Sequence, residues 1–236
     1  MNPLLRNSEA HVFVDSLASP QLAFEDEHHL DRSLRLEETD VVSVSDGQGR
    51  WATATWSRRR GLELTSKIHE DPERPPLVIG CAIPKGDRPE LVVQKLTELG
   101  VNRISFYETT RSVVRWDAER RSKQLERMKR IAREAAMQSR RTFLPRIEFT
   151  TFERMLEQNG MAIAEVGGRD PIDEAVTGVL VGPEGGFERD ELDYAVPKIG
   201  LSRNILRVET AAIVAAAMLV AAHACRRGRG RRLTRS

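Results

Sequence analysis

Leu77–Ile83 is the stretch that most restricts the fold: seven residues, LVIGCAI, with no charged side chain. A run that short and that continuously apolar reads as a strand buried on both faces, the habit of parallel sheets. The residues after it keep the rhythm of such a sheet. A helix runs from Asp87 to Gly100 with Pro89 in its first turn. Asp87 and Glu90 are spaced as a capping box. Val92, Leu96 and Leu99 form its apolar stripe, with Gln94, Lys95 and Glu98 off it. Next come a strand at Ile104–Tyr107 and a long helix from about Glu119 to Ser139. In that helix Leu125, Met128, Ala132 and Ala135 face inward, while Arg120, Lys123, Arg127 and Arg130 face out. The alternation continues through Ile147–Phe149, Thr151–Glu157, Met161–Val166, Gly178–Gly182, Glu188–Val196, Asn204–Val208 and Glu209–Cys225. Such alternation predicts an α/β domain with a mainly parallel sheet over residues 77–225.

Residues 1–69 have another rhythm. His11–Asp15 alternates around Val12 and Val14, and Val41–Ser45 and Trp51–Trp56 flank the hairpin signal Asp46-Gly47-Gln48-Gly49. Gly61–Ile68 alternates again, with Leu62, Leu64 and Ile68 expected on one side. A helical insert, Glu25–Leu36, carries Leu30, Leu34, Arg32 and Arg35. Several short strands and one helix predict a small β-barrel. Residues 70–76, EDPERPP, are a stiff linker with three prolines and no apolar residue.

Charge distribution narrows the partners. The whole chain carries +2, but Arg226–Ser236 holds six arginines and no acid, leaving −4 elsewhere. Arg111–Arg146 adds 12 Lys/Arg against four Asp/Glu. Basic clusters on a mildly acidic chain point to a polyanion, and nucleic acid fits a folded, one-sided cluster. The tail, 226–236, is expected to be disordered and has a bland reading as a solubilising end. Cys81 and Cys225 form no C-x-x-C, and Met1–Ser8 is not a signal peptide, so a reduced, cytoplasmic setting is expected. Ala211–Cys225 is 15 residues, short of the roughly 20 a membrane span needs.

Two stretches carry the chemistry. Gly178–Phe187, GVLVGPEGGF, ends an apolar run in a turn of three glycines, a proline and Glu184. It is neither a P-loop nor G-x-G-x-x-G, but it lets a ligand touch bare backbone. The alternative is a tight turn before a helix whose first turn, Glu188, Asp190 and Glu191, is acidic. Asn204–Ala211, NILRVETA, repeats the design, placing Arg207, Glu209 and Thr210 at the mouth of an Ala-rich helix. Glu209 and Thr210 also read as ordinary helix-start residues; a cation at a strand's carboxyl end is less easily dismissed. The five histidines show no metal-ligand spacing and there is no G-x-S-x-G elbow.

Five motifs in order resemble the RsmE family, small-subunit ribosomal RNA methyltransferases of the SPOUT superfamily. They are QKLTELGV at Gln94–Val101, RSVV at Arg111–Val114, Glu134 with Gln138-Ser139, GPEGG at Gly182–Gly186 and ILRVETA at Ile205–Ala211. The resemblance runs from about Phe13 to Ala222 and includes the segment of Arg32 and Arg35. It implies a PUA-like barrel ahead of an α/β domain with a carboxy-terminal trefoil knot, a homodimer, and S-adenosyl-L-methionine bound in the knot. It also implies methylation of N3 of a uridine in 16S rRNA of the small ribosomal subunit, with no metal and no membrane. Transferred onto matching positions, the cofactor would meet Val181, Gly182, Pro183, Glu184, Gly185, Gly186, Leu201, Ile205, Leu206, Thr210 and Ala211. Ser202 and Asn204 depart from the family's usual glycine and arginine, and His11 replaces a frequent early arginine.

Uridine N3 carries a proton and is a weak nucleophile until the proton leaves. Arg207 is the candidate to stabilise negative charge on the uracil oxygens, with Glu209 and then Glu184 as candidate bases. Arg32, Arg35, Lys95, Arg111, Arg120, Arg127, Arg130, Arg140 and Arg141 are the candidate RNA contacts. The competing readings are a SPOUT enzyme acting on another rRNA or tRNA nucleotide and a non-catalytic RNA-binding assembly factor.

Overall fold

A computed structural model describes residues 2–23, 26, 40–73 and 75–224. The expected helix carrying Arg32 and Arg35, and the Arg226–Ser236 tail, lie outside the described residues. The chain divides into two compact units, Met1–Arg74 with Arg133–Leu144, and Pro75–Ala132 with Pro145–Ser236. One division falls inside the proline linker. The assignment of 133–144 to the first unit departs from the sequence reading, which kept that stretch in the second domain.

The first unit begins with α1 (Pro3–Arg6) and has strands β1 (Ala10–Phe13), β2 (Val41–Ser45), β3 (Arg50–Ser57), β4 (Gly61–Leu64) and β5 (His69–Glu70). The sheet order is β1-β2-β3-β4, with β5 also pairing β3. The pair β1–β2 is parallel and the others are antiparallel. The hairpin between β2 and β3 forms where Asp-Gly predicts it: the Asp46 carboxylate accepts from the Gln48 amide at 2.8 Å, and Gly49 sits at φ +95°. Val12, Val42, Val44, Ala52, Ala54 and Trp56 fill the core. Leu64 and Ile68 are exposed, so only Leu62 of the predicted trio is buried, because β4 ends at Leu64.

Residues 133–144 belong here because their polar groups are used here. The Gly49 amide donates to the Thr142 carbonyl at 3.1 Å and the Leu144 amide to Gly47 at 2.9 Å. Arg133 lies over the Phe13 ring at 5.2 Å and donates to the Phe13 carbonyl, while Arg140 donates to the Ser8 and Glu9 carbonyls. His11 is buried, with Nε2 3.1 Å from the Arg141 carbonyl and Nδ1 2.8 Å from the Ser43 hydroxyl. A carbonyl only accepts, so Nε2 carries the proton and Nδ1 accepts from Ser43 in the neutral ring. Burial lowers the His11 pKa from 6.5 to about 4, against the raising effect of the Arg141 carbonyl bond.

The second unit contains a wholly parallel six-stranded sheet. Its strands are β6 (Val78–Ala82), β7 (Arg103–Tyr107), β8 (Arg146–Phe149), β9 (Met161–Ala164), β10 (Gly178–Val181) and β11 (Lys198–Ile199), ordered β11-β9-β10-β6-β7-β8. The helices are α2 (Arg88–Leu99), α3 (Ala118–Gln138), α4 (Phe152–Leu156), α5 (Arg189–Leu192) and α6 (Val208–Ala224). All five residues of β6 are buried, as its apolar run predicts. Ile79 and Cys81 face a core shared with α2, α3 and α6, whereas Val78 and Ala82 face Phe152, Met155 and Phe187. Ala211, Ala212, Ala215 and Ala216 of α6 are buried, and these small residues let the helix lie close on α2, β6 and β10.

Three local expectations change. Asp87 makes no side-chain cap, and Glu90 instead reaches Arg127 at 2.9 Å. The helix expected over Glu188–Val196 is one turn, Arg189–Leu192. Asn204–Val208 is not a strand. The edge strand is β11, paired with β9, and beyond Gly200 the Ser202 hydroxyl accepts from the Asn204 amide at 3.0 Å. That local turn competes with extended pairing.

Two measurements test this packing. The unfolded chain protonates His11 near pH 6.5 and the folded chain only near pH 4. The unfolded state therefore binds more protons in that window, and stability falls as pH drops through it. Urea denaturation should show the advantage of wild type over His11→Gln shrinking by up to about 3 kcal/mol from pH 6.5 to 4; a constant gap contradicts a buried neutral imidazole. Separately, the Tyr107 hydroxyl donates to the Val181 carbonyl at 2.9 Å, and burial holds the phenol well above its ordinary pKa. Tyr107→Phe should lower unfolding stability by about 1–3 kcal/mol by leaving that carbonyl unpaired.

Candidate functional site

Strands β6 and β10 are neighbours, but the chain leaves β6 for β7 on one side and β10 for β11 on the other. The connecting loops diverge there and open a crevice at the carboxyl ends of the two strands, where open α/β sheets bind ligands. Three segments reach that crevice: the loop into α2, the glycine loop after β10, and the first turn of α6.

The glycine loop is a tight turn, closed by Gly186 N–H to the Pro183 carbonyl at 2.9 Å, with Gly186 at φ +71°. A Cβ on Gly182 would come within 2.9 Å of the Phe187 ring. Among the described residues the amides of Glu184 and Gly185 make no backbone hydrogen bond, so the loop presents free donors. Its shape is fixed from outside. Arg111 Nε and Nη2 donate to the two Glu188 carboxylate oxygens at 2.7 and 3.0 Å, and Nη1 donates to the Gly185 carbonyl at 3.0 Å. The Glu191 carboxylate accepts from the Glu188 and Thr110 amides at 2.7 and 2.8 Å. Arg111, expected from sequence to contact RNA, here bridges Glu188 and the Gly185 carbonyl.

The second wall is the 200–207 loop and the start of α6. Leu201 and Leu206 pack on the main core, Ala211 is buried, Thr210 and Arg207 are exposed, and Ile205 is 85% exposed. Glu209 is buried, and among the described residues its Oε2 has no hydrogen-bond partner. Its Oε1 lies 3.4 Å from Arg88 Nε, and Arg88 Nη1 lies 3.8 Å from Glu184 Oε1. The two candidate bases are thus brought to one guanidinium. Sequence reasoning missed Arg88. The available signal was a cation at the first position of a helix, where the helix dipole opposes it.

The candidate RNA contacts are dispersed. Arg130 is exposed, Arg120 lies over Trp116 at 5.2 Å, Arg127 pairs with Glu90, and Lys95 is held by Glu98 at 2.8 Å. Arg140 and Arg141 belong to the first unit; Arg140 donates to backbone there, and burial lowers the Arg141 pKa to about 10. Cys81 is no nucleophile, since burial raises its thiol pKa. Among the described residues no group of His, Cys, Asp and Glu could hold a metal, and no helix is long and apolar enough to cross a membrane. A separate cavity of about 460 Å³ beside the carboxyl half of α6 is lined by Gly168, Ile172, Ile199, Met218 and Ala221 among others. It contains neither candidate base.

Residues 72–220 match the family of RNA methyltransferase domains. The ribosomal RNA small subunit methyltransferase E of Mycobacterium bovis is 30% identical over 206 residues, covering 77% of this chain and 78% of that protein. Its Bacillus subtilis counterpart is 28% identical over 220 residues, covering 81% and 85%. The crystal structure of the Neisseria gonorrhoeae enzyme of the same name, bound to S-adenosyl methionine, superposes with a TM-score of 0.71 at 26% identity, covering 88% of this chain and 95% of that one. A glycine turn and a buried glutamate at the strand-order reversal of a parallel sheet, with matches of this extent, place the chain in the ribosomal RNA small subunit methyltransferase E family.

Proposed function

We propose that the protein transfers a methyl group from S-adenosyl-L-methionine to N3 of a uridine in 16S rRNA of the small ribosomal subunit. The observation that carries the reading is Glu209: a buried carboxylate at the crevice of a parallel sheet, with one oxygen unpartnered among the described residues, beside a turn whose Glu184 and Gly185 amides make no backbone hydrogen bond among them. Family membership supplies the RNA substrate and the methyl donor.

The site fits the cofactor. The free amides of Glu184 and Gly185 suit a polar ligand edge, and Val181, Gly182, Pro183, Gly186, Leu201, Ile205, Leu206, Thr210 and Ala211 complete the two walls that would hold it. When bound, S-adenosyl-L-methionine supplies an electrophilic methyl group. The protein's task is to prepare the nucleophile. The N3 proton passes to Oε2 of Glu209, and the negative charge left on the uracil is met by Arg207. Glu209 is favoured over Glu184 because its Oε2 is buried without a partner among the described residues and needs a donor, whereas Glu184 is exposed.

Lys95 and the outer face of α3, with Arg120, Arg127 and Arg130, are assigned to phosphate contacts, which position RNA without reading its sequence. Arg32 and Arg35 are assigned the same role. The finer architecture belongs to this reading too: a PUA-like barrel in the first unit and a trefoil knot in the second. Support for the knot is the path after β9. The chain inserts β10 between β9 and β6, moves to the edge at β11, and returns to lay α6 on β6 and β10. The exposed apolar side chains of Ile205 and Met218 support a homodimer. A cytoplasmic location accords with the ribosomal substrate.

Methyl transfer to isolated small ribosomal subunits, with mass mapping of the product nucleotide, tests the reading. Glu209→Gln should lower kcat by about 10²–10⁴-fold with cofactor affinity kept within about threefold; wild-type turnover sinks the assignment. Arg130→Glu should weaken RNA binding and reduce its salt slope by about one or two phosphate equivalents. Arg111→Gln should weaken cofactor binding about tenfold while leaving that slope unchanged. A reduced slope for Arg111→Gln returns this residue to the RNA interface.

A further inference from the structure

We propose that Arg88 is a positioning residue of this site: it holds Glu209 by one carboxylate oxygen, leaves the other for the substrate, and reaches Glu184 of the glycine loop. The proposal rests on the methyl-transfer reading above and assigns a role to a residue outside the motifs that suggested it.

Placement comes first. Arg88 is the first residue of α2, the helix that follows the central strand β6, and α2 packs along α6. A cation in that position is opposed by the positive end of the helix dipole and is favoured only by nearby anions. Two are present and both come from the crevice, Glu209 Oε1 at 3.4 Å and Glu184 Oε1 at 3.8 Å. The side chains of Arg88 and Glu184 are 33% and 32% exposed and that of Glu209 only 10%, so the deeper contact is screened least.

The division of labour at Glu209 follows from its two oxygens. Oε1 faces the guanidinium, whereas Oε2 is buried without a partner among the described residues. An ion pair to Oε1 favours one orientation of the carboxylate, with Oε2 turned away from the guanidinium. Arginine suits this work better than lysine because its planar fork can meet two acceptors on different segments at once. Both contacts are longer than a hydrogen bond, so they act as ion pairs rather than as donated bonds.

The test uses the full-length protein, with Arg88→Gln, Arg88→Lys, Glu209→Gln and the Arg88→Gln/Glu209→Gln double variant. Turnover on small ribosomal subunits, S-adenosylmethionine binding by calorimetry, and urea unfolding of the ligand-free protein are measured for each. Arg88→Gln should lower kcat about 10²-fold, with KM for the subunit and cofactor Kd each within about threefold. Arg88→Lys should restore about tenfold of that loss. The double variant should turn over no more slowly than Glu209→Gln alone, and the two substitutions should be non-additive in unfolding. Wild-type kcat for Arg88→Gln, multiplying losses in the double variant, or additive unfolding effects would each overturn the proposal. If Arg88→Gln does not fold, Arg88→Lys decides: a kcat about tenfold down at unchanged KM supports positioning, and wild-type kcat rejects it. A wild-type protein that methylates no small-subunit RNA removes the methyl-transfer reading and this proposal together, whereas an active wild type with an equally active Arg88→Gln removes this proposal alone.

Discussion

The candidate site depends on the parallel pairing of β6 with β10. Both strands point their carboxyl ends the same way, and their chains depart in opposite directions. That reversal leaves an opening that no crossover helix fills. Buried faces hold the two strands in register, Ile79 and Cys81 toward one layer and Val78 and Ala82 toward the other. Gly80 shows how little slack remains, since a Cβ there would come within 2.7 Å of Leu180 and 2.9 Å of Tyr107. Close packing makes the strand ends rigid, so the loops leaving them start from fixed points. The alanines of α6 serve the same end. They let the helix lie close on β6 and β10, which brings Glu209 in its first turn to the opening.

Electrostatics then orders what packing has brought together. Arg88 and Arg111 act on the crevice from different sides, one between Glu184 and Glu209 and the other between Glu188 and the Gly185 carbonyl. Ion pairs as exposed as Arg111–Glu188 contribute only about 0–1 kcal/mol to stability. Their value lies in geometry: a bidentate fork sets direction as well as distance. Glu209 differs because it is buried, and a buried carboxylate with an unpaired oxygen is unfavourable unless something occupies that oxygen. In the proposed reaction the occupant is the N3 proton of the uridine.

Much of this was legible in the sequence, for identifiable reasons. The β6 and β10 runs are apolar throughout because both faces are buried, and the glycine loop stands out because Gly186 takes a positive φ and a Cβ on Gly182 would meet the Phe187 ring. Glu209 and Glu184 both read as candidate bases from the sequence, but their pairing through Arg88 does not, because it joins residues 96 and 121 positions from Arg88. Asp87 looked like a helix cap by spacing alone, and spacing does not show that Glu90 is taken by Arg127. Asn204–Val208 looked like a strand because Ile205, Leu206 and Val208 are apolar. Ser202 turns the chain before them, however, and Ile205 is left in solvent. Residues 133–144 misled for a different reason. Their arginines read as a basic surface, yet Arg133 and Arg140 act as donors to buried carbonyls of the first unit. A sequence shows charge but not whether the charge is already engaged.

That distinction bears on how RNA would be held. Arg127 is tied to Glu90 only by an exposed pair, and such a pair contributes about 0–1 kcal/mol. A phosphate could replace Glu90 there with little loss and release a counterion in the exchange. Arg130 has a similar freedom because it is exposed. Arg140 does not, since removing it from the Ser8 and Glu9 carbonyls would leave those acceptors without their donor. Within the basic stretch, Arg111 bridges the glycine loop, α3 carries an exchangeable face at Arg127 and Arg130, and Arg133 and Arg140 donate to carbonyls of the first unit.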